Sequence, residues 1–227
     1  MDYFNENGAV LLIDKPLNWT SFDVVKKIRS SGKFKKVGHA GTLDPLATGL
    51  LILCMGKMTK QIEKFQAQKK EYTGTFTLGK TTPSYDIETE FDAEYPTEHI
   101  TEELIMEAVN NLTGHIEQVP PIYSAVKVNG RRAYDAARKG EYIKLKVRTV
   151  EINTFEVDQS NFPTIGFRIV CSKGTYIRSM ASDFGKLLQS GAHLSSLRRT
   201  KIGDFDVNDA EDVLVAAEKI KEARESI

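Results

Sequence analysis

Between residues 71 and 78 the chain alternates strictly: Tyr72, Gly74, Phe76 and Leu78 share one face, and Glu71, Thr73, Thr75 and Thr77 the other. A period of two builds a strand with one buried face and is of no use to a helix. The pattern recurs at Ile165, Phe167, Ile169 and Cys171, within a strand-like stretch 164–171 that follows another at about 142–157. Gly8–Ile13, stopped by Asp14-Lys15-Pro16, and Leu50–Met55 are short apolar runs of strand length. Asn129-Gly130 signals a hairpin turn, and a last strand pair falls around 196–206. Helices are fewer. Thr20 and Asp23 form a capping box that opens a helix with Phe22, Val25 and Ile28 inward. Leu104, Ile105, Ala108, Val109 and Leu112 mark a second, ended by Gly114, and Ile177, Met180, Ala181, Phe184, Leu187 and Leu188 a third. A C-terminal helix over 209–225 has Asp209 and Asp212 as caps. Strands joined by turns or single helices predict an α+β fold around a mixed, largely antiparallel sheet. With no linker and no repeat, residues 1–227 read as a single domain.

Of the 227 residues 41% are hydrophobic, enough to fill a core and to exclude a disordered or fibrous chain. The polar start, MDYFNENG, is no signal peptide. The apolar stretch Leu46–Met55 falls short of the ~18 residues a membrane span needs. Cys54 and Cys171, far apart and outside any Cys-x-x-Cys, fit a reduced, cytoplasmic protein. The formal net charge of zero hides a segregation. The segments 26–36, 57–70, 127–148 and 168–201 hold 26 of the 31 basic residues with only four acids, whereas 81–107 holds nine acids and no base. Four cationic runs in a neutral chain suit a polyanion, above all nucleic acid, against the alternative of separately solvated faces.

Several motifs carry no chemistry. Gly74–Thr81 matches the phosphate-loop pattern G-x-x-x-x-G-K-[ST], but its middle residues belong to the alternating strand, and Thr82-Pro83-Ser84-Tyr85-Asp86 makes a poor helix for a phosphate to sit on. His39, His99, His115 and His193 are scattered without metal-ligand spacing, so no metal chemistry is indicated. The unusual segment is Gly38-His39-Ala40-Gly41-Thr42-Leu43-Asp44-Pro45-Leu46-Ala47-Thr48-Gly49. Asp44-Pro45 reads first as a turn. The alternative is a carboxylate displayed by a constrained loop at the edge of a cationic surface, able to act as a nucleophile on nucleic acid.

This segment resembles the catalytic motif of the TruB family of tRNA pseudouridine synthases. The similarity runs from about residue 8 to 205. It takes in Lys15-Pro16 with Thr20-Ser21, then Tyr72 with Leu78-Gly79, then Gln118–Ala125, Cys171–Arg178, and Gly191–Leu194 with Leu197-Arg198-Arg199. The resemblance implies a pseudouridine synthase fold and isomerisation of uridine 55 in the T arm of tRNA. One C–N bond is exchanged for a C–C bond, without cofactor or metal. By it Asp44 is the nucleophile, toward either C6 of the base or C1′ of the ribose. Tyr72 stacks on the uracil, Arg178 pairs with Asp44, and Tyr176 and Leu197 line the uridine pocket. His39 fills the space left by the flipped base. Lys15 and Pro16 support the pocket.

Arg131, Arg132, Arg138 and Lys139 follow the Asn129-Gly130 turn and are expected to grip RNA from an insertion around 124–146, the alternative being a solvated loop. Asn18 stands where the family usually has Gly, and Asn tolerates the left-handed backbone such a turn needs. The resemblance is to a catalytic domain alone, without the C-terminal PUA domain of many relatives, and implies a monomer. A guide-RNA-dependent relative and a non-catalytic RNA-binding protein are the rival readings.

Overall fold

The computed structural model describes residues 3–124, 126–128, 130–137 and 145–226. It divides into two compact units, Met1–Tyr72 with Leu197–Ile227, and Thr73–Ser196. The chain begins with β1 (Val10–Lys15), α1 (Ser21–Gly32), β2 (Val37–His39), β3 (Ala47–Met55), α2 (Ile62–Ala67) and β4 (Lys70–Leu78). It continues through β5 (Lys80–Thr81), β6 (Ala93–Glu94), α3 (Glu102–Asn111), β7 (Gly114–Gln118), β8 (Lys127–Val128), β9 (Arg131–Arg132) and α4 (Ala133–Ala137). Then come β10 (Arg148–Asn161), β11 (Thr164–Cys171), α5 (Ile177–Leu187), β12 (Ala192–Ile202), β13 (Phe205–Asp206), β14 (Glu211–Asp212) and α6 (Val213–Glu225). The architecture is α+β, as the strand-rich pattern predicts.

In the first unit the strands run β14-β1-β3-β12. β1 and β3 are antiparallel, with Ile13 opposite Leu51, while β12 runs parallel to β3, with Leu197 opposite Ala47. β3 is buried on both faces. Leu51, Leu53 and Met55 pack with Val24, Val25 and Ile28 of α1 and with Val213, Ala216, Ala217 and Ile220 of α6. Leu50, Ile52 and Cys54 pack with Phe65, Ile202 and Val207. A strand with no wet face needs no alternation, which is why Leu50–Met55 reads as a continuous apolar run.

The capping box of α1 is formed: Thr20 Oγ1 accepts from Asp23 N at 3.0 Å, and Asp23 Oδ2 accepts from Thr20 N at 2.9 Å. Phe22, expected inward, is 67% exposed. The buried stripe is Ser21, Val24, Val25 and Ile28, and at 3.6 residues per turn Phe22 lies roughly 110° around the axis from its centre. Leu104 and Leu187, also expected inward, are exposed for the same reason, at the edges of their stripes. The last helix starts at Val213 rather than 209, with Asp212 Oδ1 accepting from Leu214 N and Val215 N; Asp209 ends a short 3-10 turn.

In the second unit the order β12-β4-β11-β10-β7 continues through the parts of β12 and β4 that lie in it. β10 pairs antiparallel with β11 and with β7. Phe76 of β4 is fully buried against Phe155, Phe167 and Phe184, 4.3 Å between ring centres at the closest. Gly74 keeps the alternation without a side chain because a Cβ there would meet Ser196 O at 2.2 Å and the Phe167 ring at 2.8 Å. Residues 148–161 form the strand expected at 142–157; 142–144 lie outside the described residues. Asn129-Gly130 is flanked by the predicted hairpin, Lys127 opposite Arg132 and Val128 opposite Arg131. The phosphate-loop match falls on β4 and β5, and the next helix begins only at Glu102.

Candidate active site

Asp44 sits half-buried in the loop between β2 and β3. The backbone turns at Asp44-Pro45, as the first reading expects, with Asp44 O accepting from Ala47 N at 3.1 Å. Buried polar groups of the first unit hold the loop from several sides. Ser21 Oγ accepts from Leu43 N at 2.8 Å and donates to Leu43 O at 3.2 Å. Asn18 adopts the left-handed conformation its side chain permits (φ 64°) and donates its N–H to Pro45 O at 2.8 Å, so the departure from Gly is absorbed. The fully buried Lys15 donates to Trp19 O at 2.6 Å, Pro16 O at 2.9 Å and Pro45 O at 3.4 Å. Arg199, 1% exposed, donates to Leu50 O at 2.8 Å, Gly41 O at 3.2 Å and Thr42 O at 3.4 Å. Gly49, at φ +104°, makes room for it: a Cβ would lie 2.3 Å from Arg199 O.

Two cations under one loop shape its electrostatics. Burial pushes the Lys15 ammonium down to about 8; the Asp44 charge opposes this and Arg199 adds to it. Burial likewise holds His39, half-buried on β2, below the usual imidazole range, a Gly41 backbone hydrogen bond opposing and Arg199 reinforcing. Its Nδ1 has no hydrogen-bond partner among the described residues. Leu197, half-buried, is in register with Ala47, where the loop ends. Tyr72 is buried in β4, one residue after Glu71, whose carboxylate and backbone O both accept from Thr200 of β12. His39, Asp44, Tyr72 and Leu197 thus belong to the first unit, on neighbouring strands and the loop they frame.

Tyr176 and Arg178 belong to the second unit, at the start of α5. Arg178 is buried; its Nη1 donates to Tyr123 O at 2.8 Å and Ser84 O at 3.4 Å, and its Nε lies 3.6 Å from Asp86 Oδ2. Asp86 is itself buried and accepts from Glu88 N at 2.9 Å. It follows Tyr85, a bulky residue in the left-handed region (φ 65°) whose carbonyl accepts from Leu194 N. Strain of this kind persists only where the surroundings over-determine it. Gln118, 1% exposed, clamps Tyr176 by its backbone, accepting from Tyr176 N at 2.8 Å and donating to Tyr176 O at 3.1 Å.

Residues 29–177 match the family model of the TruB family pseudouridylate synthase N-terminal domain. The chain belongs to this family. Residues 178–226 match the tRNA pseudouridylate synthase B C-terminal domain. Proteins named tRNA pseudouridine synthase B are similar over most of their length. That of Flavobacterium johnsoniae is 56% identical over 94% of this chain and 96% of its own, and that of Phocaeicola vulgatus 57% identical over 90% and 89%. Among solved structures, a chain of a Cbf5-Nop10-Gar1 complex aligns with TM-score 0.68 and 30% identity over 87% of this chain. A chain of an H/ACA ribonucleoprotein bound to a substrate RNA containing 2′-deoxyuridine aligns with TM-score 0.71 and 25% identity over 96%. This chain spans 49% and 55% of the length of those two. The TruB chain is therefore an enzyme with a pseudouridine synthase fold.

Sequence reasoning missed three buried polar residues, Asp86 and Gln118 in the second unit and Arg199 in the first. Asp86 is one of nine acids in 81–107 and has no motif of its own. Arg199 and Gln118 fall inside quoted motifs, but only the structure gives them work. Of the proposed RNA grip, Arg131 and Arg132 form β9, while Arg138 and Lys139 lie outside the described residues. Among the described residues no group of His, Cys, Asp or Glu could hold a metal ion, and no helix is long and apolar enough to cross a membrane.

Proposed function

We propose that this chain isomerises uridine 55 in the T arm of tRNA to pseudouridine, with Asp44 as nucleophile. The observation that carries the reading is the Asp44 loop, fixed from below by buried Lys15 and Arg199 in a chain of this family. The names of its relatives supply tRNA as the substrate class.

In the reaction the N1–C1′ bond breaks, the uracil turns, and a C5–C1′ bond forms. The C5 proton leaves to solvent and N1 gains one, so the composition is unchanged and no co-reactant is consumed. Asp44 adds to C6 of the base or C1′ of the ribose and is released at the end. Tyr72 stacks on the uracil, Tyr176 and Leu197 close its pocket, and Arg178 pairs with the nucleophile. A loop already held by hydrogen bonds needs little reorganisation on substrate binding, which is how positioning lowers a barrier. The base must first leave its stack, at a cost of a few kcal/mol. His39, held neutral, is the side chain suited to fill the gap. The acceptors of the T loop are splayed bases and phosphates, for which the cationic segments, Arg131, Arg132, Arg138 and Lys139 among them, are the complement.

The test is to incubate the protein with an unmodified tRNA transcript in EDTA and map pseudouridine by carbodiimide labelling and primer extension. Modification confined to position 55 is expected. Modification elsewhere, or only when a guide RNA is added, contradicts the reading.

A further inference from the structure

We infer that the N-terminal end of α1 is a second RNA-contacting surface, with Phe22 a stacking platform for an unpaired base beside the target uridine and Lys26 the clamp on its phosphate. The inference rests on the reading of the chain as an enzyme acting on RNA.

A Phe that is 67% exposed, with Leu17 52% exposed five residues before it, contributes little to the core. Single exposed apolar residues are ordinary, but the place of this one is not. Ser21 binds both polar backbone atoms of Leu43, so Phe22 and Asp44 are each one residue from the same hydrogen-bonded pair. The capping box fixes the backbone that carries the ring. Lys26 lies one turn further on, exposed and on the same side as Phe22, and 26–36 adds five more cations without an acid. The carboxylate on this end, Asp23, is engaged by Thr20 through both its hydroxyl and its backbone N–H. An aromatic face followed by an ammonium is the chemistry that holds a single-stranded nucleotide regardless of its base. A loop whose uridine has been flipped out has such nucleotides next to the gap.

The experiment is steady-state turnover of a T-arm hairpin by wild type, Phe22→Ala, Phe22→Trp and Lys26→Ala, with the melting temperature of each. Phe22→Ala should raise KM about tenfold with kcat and melting temperature unchanged, and Phe22→Trp should restore KM. Lys26→Ala should lower the slope of log binding against log salt by about one. An unchanged KM in Phe22→Ala, or a loss confined to kcat, overturns the inference while leaving the proposed reaction standing. If the wild type turns over a different tRNA uridine, the reading of position 55 fails, and the same ratio of KM values on that RNA decides the role of Phe22.

Discussion

The Asp44 loop and the Arg178 cradle place opposite charges by opposite means. In the loop the Asp44 carboxylate is half-exposed, and the burial is borne by two cations: Lys15 and Arg199 donate their N–H groups to the carbonyls of residues 16, 19, 41, 42, 45 and 50. In the cradle the guanidinium itself is buried, and a second buried charge, Asp86, lies beside it together with two carbonyls. A carbonyl-held cation keeps its full charge, whereas a buried ion pair shares part of that charge with the carboxylate beside it. The loop therefore combines stiffness with a field, and the cradle is above all a device for holding one side chain in one rotamer.

Breaking the cradle should have the larger effect. Asp86→Asn leaves a buried guanidinium without this carboxylate and should cost about 3–5 kcal/mol of stability, with turnover falling as Arg178 shifts; urea unfolding and single-turnover kinetics measure the two. If stability is unchanged, Asp86 does not balance the Arg178 charge and the contrast with the loop disappears.

The loop should reveal itself through pH. Burial lowers the Lys15 ammonium to about 8 in the folded chain, against the ordinary 10.5. Below 8 it is charged in both the folded and unfolded states, and the folded state bears the full cost of a buried ammonium. Above 10.5 it is neutral in both and the cost is gone. Its contribution to stability therefore improves as pH rises from about 8 to 10.5. Wild type should gain on the order of 3 kcal/mol relative to Lys15→Met across that window, although that variant is the less stable at neutral pH because three carbonyls lose their donor. Parallel pH profiles for the two proteins would mean that Lys15 is not desolvated.

The hairpin should show the smallest effect. Replacing Arg131 and Arg132 by Ala should lower the salt slope of tRNA binding by about two and leave the melting temperature alone; an unchanged slope would assign RNA binding to other cations.

What could be read from the residues follows the same division. The Asp44-Pro45 turn was legible from its glycines and proline, whereas the chemistry of its carboxylate and the meaning of Asn18 came only from the resemblance to the family. The strands over 71–78 and 164–171 were legible from alternation alone. Asp86 was not, because nothing local distinguishes it from Glu88, Glu90 or Asp92; only the fold brings Arg178 to it. The resemblance gives Lys15 a supporting role, but nothing in the sequence announces its complete burial, since a lysine is ordinarily solvated. Phe22 keeps helical spacing with Val25 and Ile28, which points it inward on spacing alone, but the buried stripe is centred on Ser21, Val24, Val25 and Ile28.

The central claim is that Asp44 is the nucleophile of a uridine isomerase. Its direct test is release of tritium from tRNA labelled at uridine C5, measured for wild type and for Asp44→Asn with RNA binding followed in parallel. One equivalent of tritium released per tRNA by the wild type, and none by a variant that still binds, is the predicted result. Release by Asp44→Asn at a rate near that of the wild type would contradict it.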